Sequence, residues 1–137
     1  SQAMKQQWSI DKAMACIAEA GLAGNEGRLA GVMSHGAQRQ LEIAMVLATD
    51  AQVLLLDEPL AGMGSEESAK MVDVLKRLRE TRAILLVEHD MDAVFAVADT
   101  ITVMVNGQVL EAGPPAQIRA SVPVQEAYLG QEDSFHV

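Results

Sequence analysis

The segment "QVLLLDEPLAG", Gln52 to Gly62, decides how this chain is read. Four apolar residues, Val53 to Leu56, run straight into two adjacent carboxylates, Asp57 and Glu58, and then a proline. An apolar run that is continuous rather than alternating is the pattern of a strand buried on both faces, as in a parallel sheet. "AILLV" (83–87) repeats the pattern and also ends in polar residues, "EHD" (88–90). Ligands of open α/β sheets bind beyond the carboxyl ends of the strands, so both polar ends fall where a site belongs.

Helical periods flank these strands. Between them, Met71, Val72, Leu75 and Leu78 form the inner face of a helix, with Ser65 as its cap and Glu66 and Glu67 in its first turn. Upstream, Leu41, Ala44, Met45 and Ala48 give a second amphipathic helix, for which Ser34 is the capping residue. Residues 9–20 carry Ile10, Met14, Ile17 and Ala18 at helical spacing behind Ser9 or Asp11 as cap, and Gly21, Gly24, Gly27 and Gly31 punctuate a loop after them. The opening Ser-Gln-Ala before Met4 is set aside as a tag-like addition.

Downstream, a short helix spans 91–98, and "TITVMV" and "QVLEAG" flank Asn106-Gly107. Asn-Gly between two β-rich runs is the strongest short-range hairpin signal. Two prolines end the hairpin, and short helical stretches follow at 117–120 and 124–129. Strand, helix, strand, helix, strand reads as an α/β unit with parallel, buried strands, closed by a β-hairpin.

Composition narrows the function classes. The 137 residues hold 19 acidic and 10 basic side chains, a net charge of −9, with no basic cluster of the kind that follows a phosphate backbone. One cysteine, Cys16, excludes an internal disulfide framework and fits a reducing compartment. No apolar run approaches the roughly 20 residues of a membrane-spanning helix, and no secretory signal is visible.

Three groups of residues carry possible chemistry. Asp57 and Glu58 point opposite ways if both are on the strand, so one carboxylate is free to hold a hard cation and the other to polarise a water. The plainer reading is that both face solvent and cap a turn. His89 stands two residues past the second strand, either as a structural histidine or as a phosphate contact. Ser34 and Gly36 precede a helix whose first amides are unpaired and partly positive, either an ordinary N-cap or an anion site.

The three together, in this order, resemble the C-terminal half of an ABC-type ATPase. "MSHGAQ" is similar to the signature motif Leu-Ser-Gly-Gly-Gln, "VLLLDE" to a Walker B strand with its catalytic Glu, "LAGMGSEE" to the D-loop region and "EHD" to the switch-histidine loop. "SHG…QLEIA", "VEHDM" and "EAGPPAQIRA…VQEAYLG" bring the resemblance closest to the ATPase subunits of branched-chain amino acid and urea importers. It implies an incomplete P-loop NTPase domain. Residues 4–50 would be part of a helical subdomain with the signature, 51–113 the Walker B and switch-histidine core with the hairpin, and 114–137 a helical tail.

It also implies ATP and Mg²⁺ as cofactors, sandwiched between two subunits paired head to tail. Asp57 would hold the metal, Glu58 would activate water, and His89 would contact the γ-phosphate in its own subunit. Ser34, His35, Gly36 and Ala37 would face ATP held by the opposite subunit, and Gly62 and Gly64 would lie in the D-loop. The partners implied are a second copy and membrane permease subunits, with no nucleic acid. The location implied is cytoplasmic, peripheral on the inner face of the plasma membrane.

Three residues depart from the family pattern. His35 stands at the first signature glycine, Ala37 at the signature Gln, and Gly64 at the usual D-loop Asp. A P-loop, G-x-x-x-x-G-K-[S/T], is absent: Lys5, Lys12, Lys70 and Lys76 are the only lysines and none follows a glycine. The resemblance therefore implies a fragment of the ATPase, with strands whose neighbours lie elsewhere and an expected dimer or strand-exchanged oligomer. Two other readings stand beside the importer subunit. One is a non-catalytic dimerisation or regulatory module, and the other is the ATPase of a lipopolysaccharide-type exporter. A soluble ABC ATPase acting on DNA or ribosomes is disfavoured by the acidic balance.

Overall fold

The computed structural model describes residues 1–128, so the end of the helix expected at 124–129 and the last part of the expected tail lie outside the described residues. The chain divides into two compact units, Ser1–Val87 and the remainder from Glu88. The break falls within residues 51–113.

Unit 1 holds α1 (Gln2–Glu19), α2 (His35–Leu47), β1 (Val53–Asp57), α3 (Ser65–Leu78) and β2 (Ala83–Val87). β1 and β2 pair in parallel from Val53 opposite Ala83 to Asp57 opposite Val87. Burial along them alternates: Leu54 is 1% exposed, whereas Val53, Leu55, Leu85 and Val87 are 53–73% exposed. The expectation of strands buried on both faces is thus corrected. A continuous apolar run requires two covering layers, and unit 1 supplies a helix layer on one side only.

That helix layer is itself tightly joined. α2 contributes Ile43, Ala44 and Leu47 to the buried set, and α3 contributes Met71, Val74, Leu75 and Leu78. Gly21, at φ +84°, ends α1 where a side chain has no room: a Cβ there would lie 2.8 Å from Gln40 Nε2 and 2.9 Å from Val74 Cγ2. The Gln40 amide is buried and donates to the Ala20 carbonyl at 3.1 Å, which ties α1 to α2. Arg82 pairs with Glu19, joining the start of β2 to the end of α1.

Two helix starts differ from the expected ones. α1 begins at Gln2 with the Ser1 hydroxyl accepting from the Met4 amide at 3.3 Å, so the set-aside tripeptide supplies the cap and the first two helical residues, and Ser9 bonds back to the Lys5 carbonyl within the helix. α3 is capped by Gly64, with no side-chain bond, and Ser65 is its first helical residue. Glu66 and Glu67 do occupy its first turn, where carboxylates oppose the positive end of the helix dipole.

Unit 2 holds α4 (Met91–Val97), β3 (Ile101–Val105), β4 (Gln108–Gly113), α5 (Pro115–Ala120) and α6 (Val122–Tyr128). β3 does not join the parallel pair; it pairs antiparallel with β4 alone. Asn106 and Gly107 have φ of +51° and +77°, the double left-handed turn that a two-residue hairpin needs. Ile101, Val103, Ile118 and Val124 form the core of this unit, with Val94, Phe95, Ala98 and Tyr128 packed on it.

Gly21→Ala is expected to lower the stability of the chain by about 2 kcal/mol, through overpacking added to a strained φ. Gly24→Ala, at φ +92° but with nothing within 4 Å, should cost only about 1 kcal/mol. Urea unfolding of the two variants checks the difference, and equal midpoints would contradict the packing account.

Candidate functional site

The two carboxylates lie at the carboxyl end of β1, beside the end of β2. Asp57 shares the uncovered face with Val53 and Leu55, and its side chain is exposed. It lines a shallow cleft of about 210 Å³ with Arg39, Glu42 and Val46 of α2 and with Leu55 and Pro59. Among the described residues no three His, Cys, Asp or Glu side chains gather to hold a metal unaided. An Mg²⁺ ion at Asp57 fits the usual pattern of one protein carboxylate completed by water and phosphate oxygens.

Glu58 leaves the strand in a left-handed conformation, φ +47°, which a non-glycine residue adopts only when its surroundings hold it there. Its N–H donates to the Val87 carbonyl at 2.7 Å, extending the ladder by one bond. Its C=O accepts from Arg39 Nη2 at 3.0 Å and from the Ala61 amide at 3.1 Å. Asp57, the last residue of β1, and Glu58 are therefore separated by a change of backbone conformation and not by strand alternation.

The start of α2 is built as a conventional cap. The Ser34 hydroxyl accepts from the Ala37 amide at 3.2 Å, so Ser34 and Ala37 satisfy each other. The Gln38 side chain donates to the carbonyls of Ala30 and Met33, fixing the approach to the helix. Gly36 is buried, and the space its missing Cβ leaves is filled from within the chain: a Cβ there would stand 2.5 Å from Glu67 Oε2 and 3.2 Å from Glu67 Cβ. His35 reaches the D-loop region, with Nε2 2.8 Å from the Ala61 carbonyl. Its ring also lies within 3.3 Å of where a Cβ on Gly62 would be, and Gly62 has φ +75°.

Unit 1 thus holds Ser34, His35, Gly36, Ala37, Asp57, Glu58, Gly62 and Gly64, and brings His35 against Ala61 and Gly62. His89 belongs to unit 2. Its side chain is 72% exposed, with Nδ1 3.6 Å from Oε1 of the buried Glu88 side chain, and that oxygen also accepts from the His89 amide at 3.0 Å. Asp90 caps α4, accepting from the Ala93 amide at 3.2 Å. Sequence reasoning missed Arg39 and Glu67; the one available signal was that Arg39 lies four residues after His35, on the same helical face.

An ABC transporter family model matches residues 1–61. The high-affinity branched-chain amino acid transport ATP-binding protein LivG of Escherichia coli K12 is 38% identical over 128 residues, covering 92% of this chain and 50% of that protein. The corresponding BraF protein of Pseudomonas aeruginosa is 38% identical over 117 residues, covering 84% of this chain and 46% of BraF.

Over most of its length the chain is similar to ATP-binding subunits of ABC transporters. Among solved structures, the ADP conformation of MJ1267, an ATP-binding cassette of an ABC transporter, superposes with a TM-score of 0.77 at 27% identity, covering 90% of this chain and 50% of that one. The chain spans about half the length of the curated relatives it matches. Its uncovered sheet face is in keeping with an incomplete cassette. No helix among the described residues is long and apolar enough to cross a membrane.

Gly36→Ala is expected to destabilise the chain by about 1–2 kcal/mol through the Glu67 contact, and Glu67→Ala made alongside it should remove most of that cost. A double-mutant cycle in urea checks this coupling. Additive effects would mean that packing does not require the glycine.

Proposed function

We propose that this chain forms half of the ATP-hydrolysing subunit of an ABC importer of the branched-chain amino acid type. The observation that carries the reading is Asp57. It stands on the open face of a parallel strand pair, at the carboxyl end, with Glu58 turned away from it by a left-handed backbone. Mg²⁺, when bound, supplies positive charge to the transferring phosphoryl group. Asp57 would hold that ion, and the Glu58 carboxylate would take a proton from the attacking water. By the same resemblance His89, which belongs to unit 2, would be a phosphate contact.

The signature residues Ser34, His35, Gly36 and Ala37 face ATP held by a second copy paired head to tail, with Gly62 and Gly64 beside that interface. The start of α2, at thirteen residues a full helix, offers partly positive amides to that phosphate. The finer proposals are that a permease docks on the cytoplasmic face of the membrane and that the transported substrate is a branched-chain amino acid. They rest on the named relatives.

Without a P-loop in its sequence, the chain by itself is expected to show no ATP turnover above background. The cassette completed by a preceding half should hydrolyse ATP, and Glu58→Gln should abolish that turnover while leaving ATP binding intact. Steady hydrolysis by the contaminant-free chain alone, or an active Glu58→Gln cassette, would sink the assignment. Calorimetry of the chain with Mg-ATP separates the importer reading from a nucleotide-binding module acting alone, since only the module would bind at millimolar ATP.

The bare face formed by Val53, Leu55, Leu85 and Val87 gives the chain a surface that favours self-association. Light scattering at tens of micromolar is expected to report a dimer or a larger strand-exchanged species. A clean monomer would contradict it.

A further inference from the structure

His35 and Arg39 stand one turn apart on α2, and both reach the loop that follows β1. His35 takes the Ala61 carbonyl through Nε2 at 2.8 Å, and Arg39 takes the Glu58 carbonyl through Nη2 at 3.0 Å. These carbonyls lie near the two ends of the segment 58–62. That segment contains two left-handed residues, Glu58 at φ +47° and Gly62 at φ +75°. A backbone so strained keeps its shape only when tied from outside, and its outside ties include one from β2, through Val87, and these two from side chains of α2. Glu42 in turn pairs with Arg39 Nη1 at 3.3 Å, holding the guanidinium on the face it uses.

We propose that His35 and Arg39 are positioning residues for Glu58: a two-point strap by which the signature helix fixes the direction of the hydrolytic carboxylate in the same chain. The inference rests on the functional reading above for the role of Glu58, but the strap itself is a property of this chain. A residue without a side chain at position 35 could not reach the Ala61 carbonyl. The strap also gives Gly62 a reason to lack a side chain, since the His35 ring occupies that space at 3.2–3.3 Å. A change at the signature helix would then reach Glu58 through two hydrogen bonds without first crossing to another subunit.

Because a carbonyl only accepts, the neutral His35 ring must carry its proton on Nε2. Ring nitrogen shifts of the unsubstituted chain at mildly alkaline pH are expected to show that tautomer, and a proton on Nδ1 would overturn the strap. Amide exchange followed by NMR tests its effect. In Arg39→Met and His35→Leu, exchange at Ala61 and Met63 should rise about five- to tenfold, the size of one lost hydrogen bond, with Leu54 and Leu56 unchanged. Arg39→Lys and His35→Gln, which keep a donor, should restore protection. Unchanged loop amides, or equal acceleration in β1, would refute the proposal.

In the completed cassette, Arg39→Met should lower kcat about ten- to hundredfold with KM for ATP nearly constant, and Arg39→Lys should recover most of it. An unaltered kcat in Arg39→Met refutes the positioning role. An inactive unsubstituted cassette instead defeats the functional reading, and the exchange result still decides whether the strap exists.

Discussion

A parallel pair of apolar strands needs cover on both sides, and the described residues of unit 1 cover one. Most of what is distinctive in unit 1 follows from that constraint. The side with a helix layer is dense enough that Gly21 cannot carry a methyl group and the Gln40 amide must find its partner at Ala20. The other side leaves Leu55 at 73% exposure on the same face as Asp57. Burying one leucine is worth about 1.5–3 kcal/mol, so a face holding Val53, Leu55, Leu85 and Val87 represents a substantial unused driving force. Asp57 thus stands at the rim of an uncovered apolar face rather than inside a finished pocket.

Much of this was legible in the sequence, for reasons that differ by element. Asn106-Gly107 specifies its own turn, because both residues tolerate positive φ, and the hairpin formed where the dipeptide predicted it. The runs at 53–56 and 83–87 marked their strands by length and composition. They announced a need for two covering layers without saying whether this chain holds them. The start of α3 moved by one position because the backbone at Gly64 took the cap that the Ser65 hydroxyl seemed to offer. Ser1 caps α1 in a segment that carried no apolar period to reveal it.

The site was legible as motifs and illegible as contacts. Asp57, Glu58 and the Ser34 cap occupy the positions their neighbours implied. What spacing could not show is who fills the space beside each small residue. Gly36 accommodates Glu67, and Gly62 accommodates the His35 ring. Both are long-range facts, set by α3 and by the loop after β1. Arg39 belongs to the same category, because its partner is a backbone carbonyl, and a carbonyl leaves no trace in composition.

The two units also differ in how far along the chain their sheets must reach. β3 and β4 meet across two residues, so their pairing requires only a local closure of the kind that forms in about 1–10 μs. β1 and β2 meet only after the whole of α3 has been placed between them, a slower search with a larger loop-closure cost. As the chain emerges in order, the strand pair that carries Asp57 and Glu58 must wait for residues thirty positions downstream. The hairpin can close as soon as it is made. The half of the molecule with the least complete cover is therefore also the half that stays open longest during synthesis.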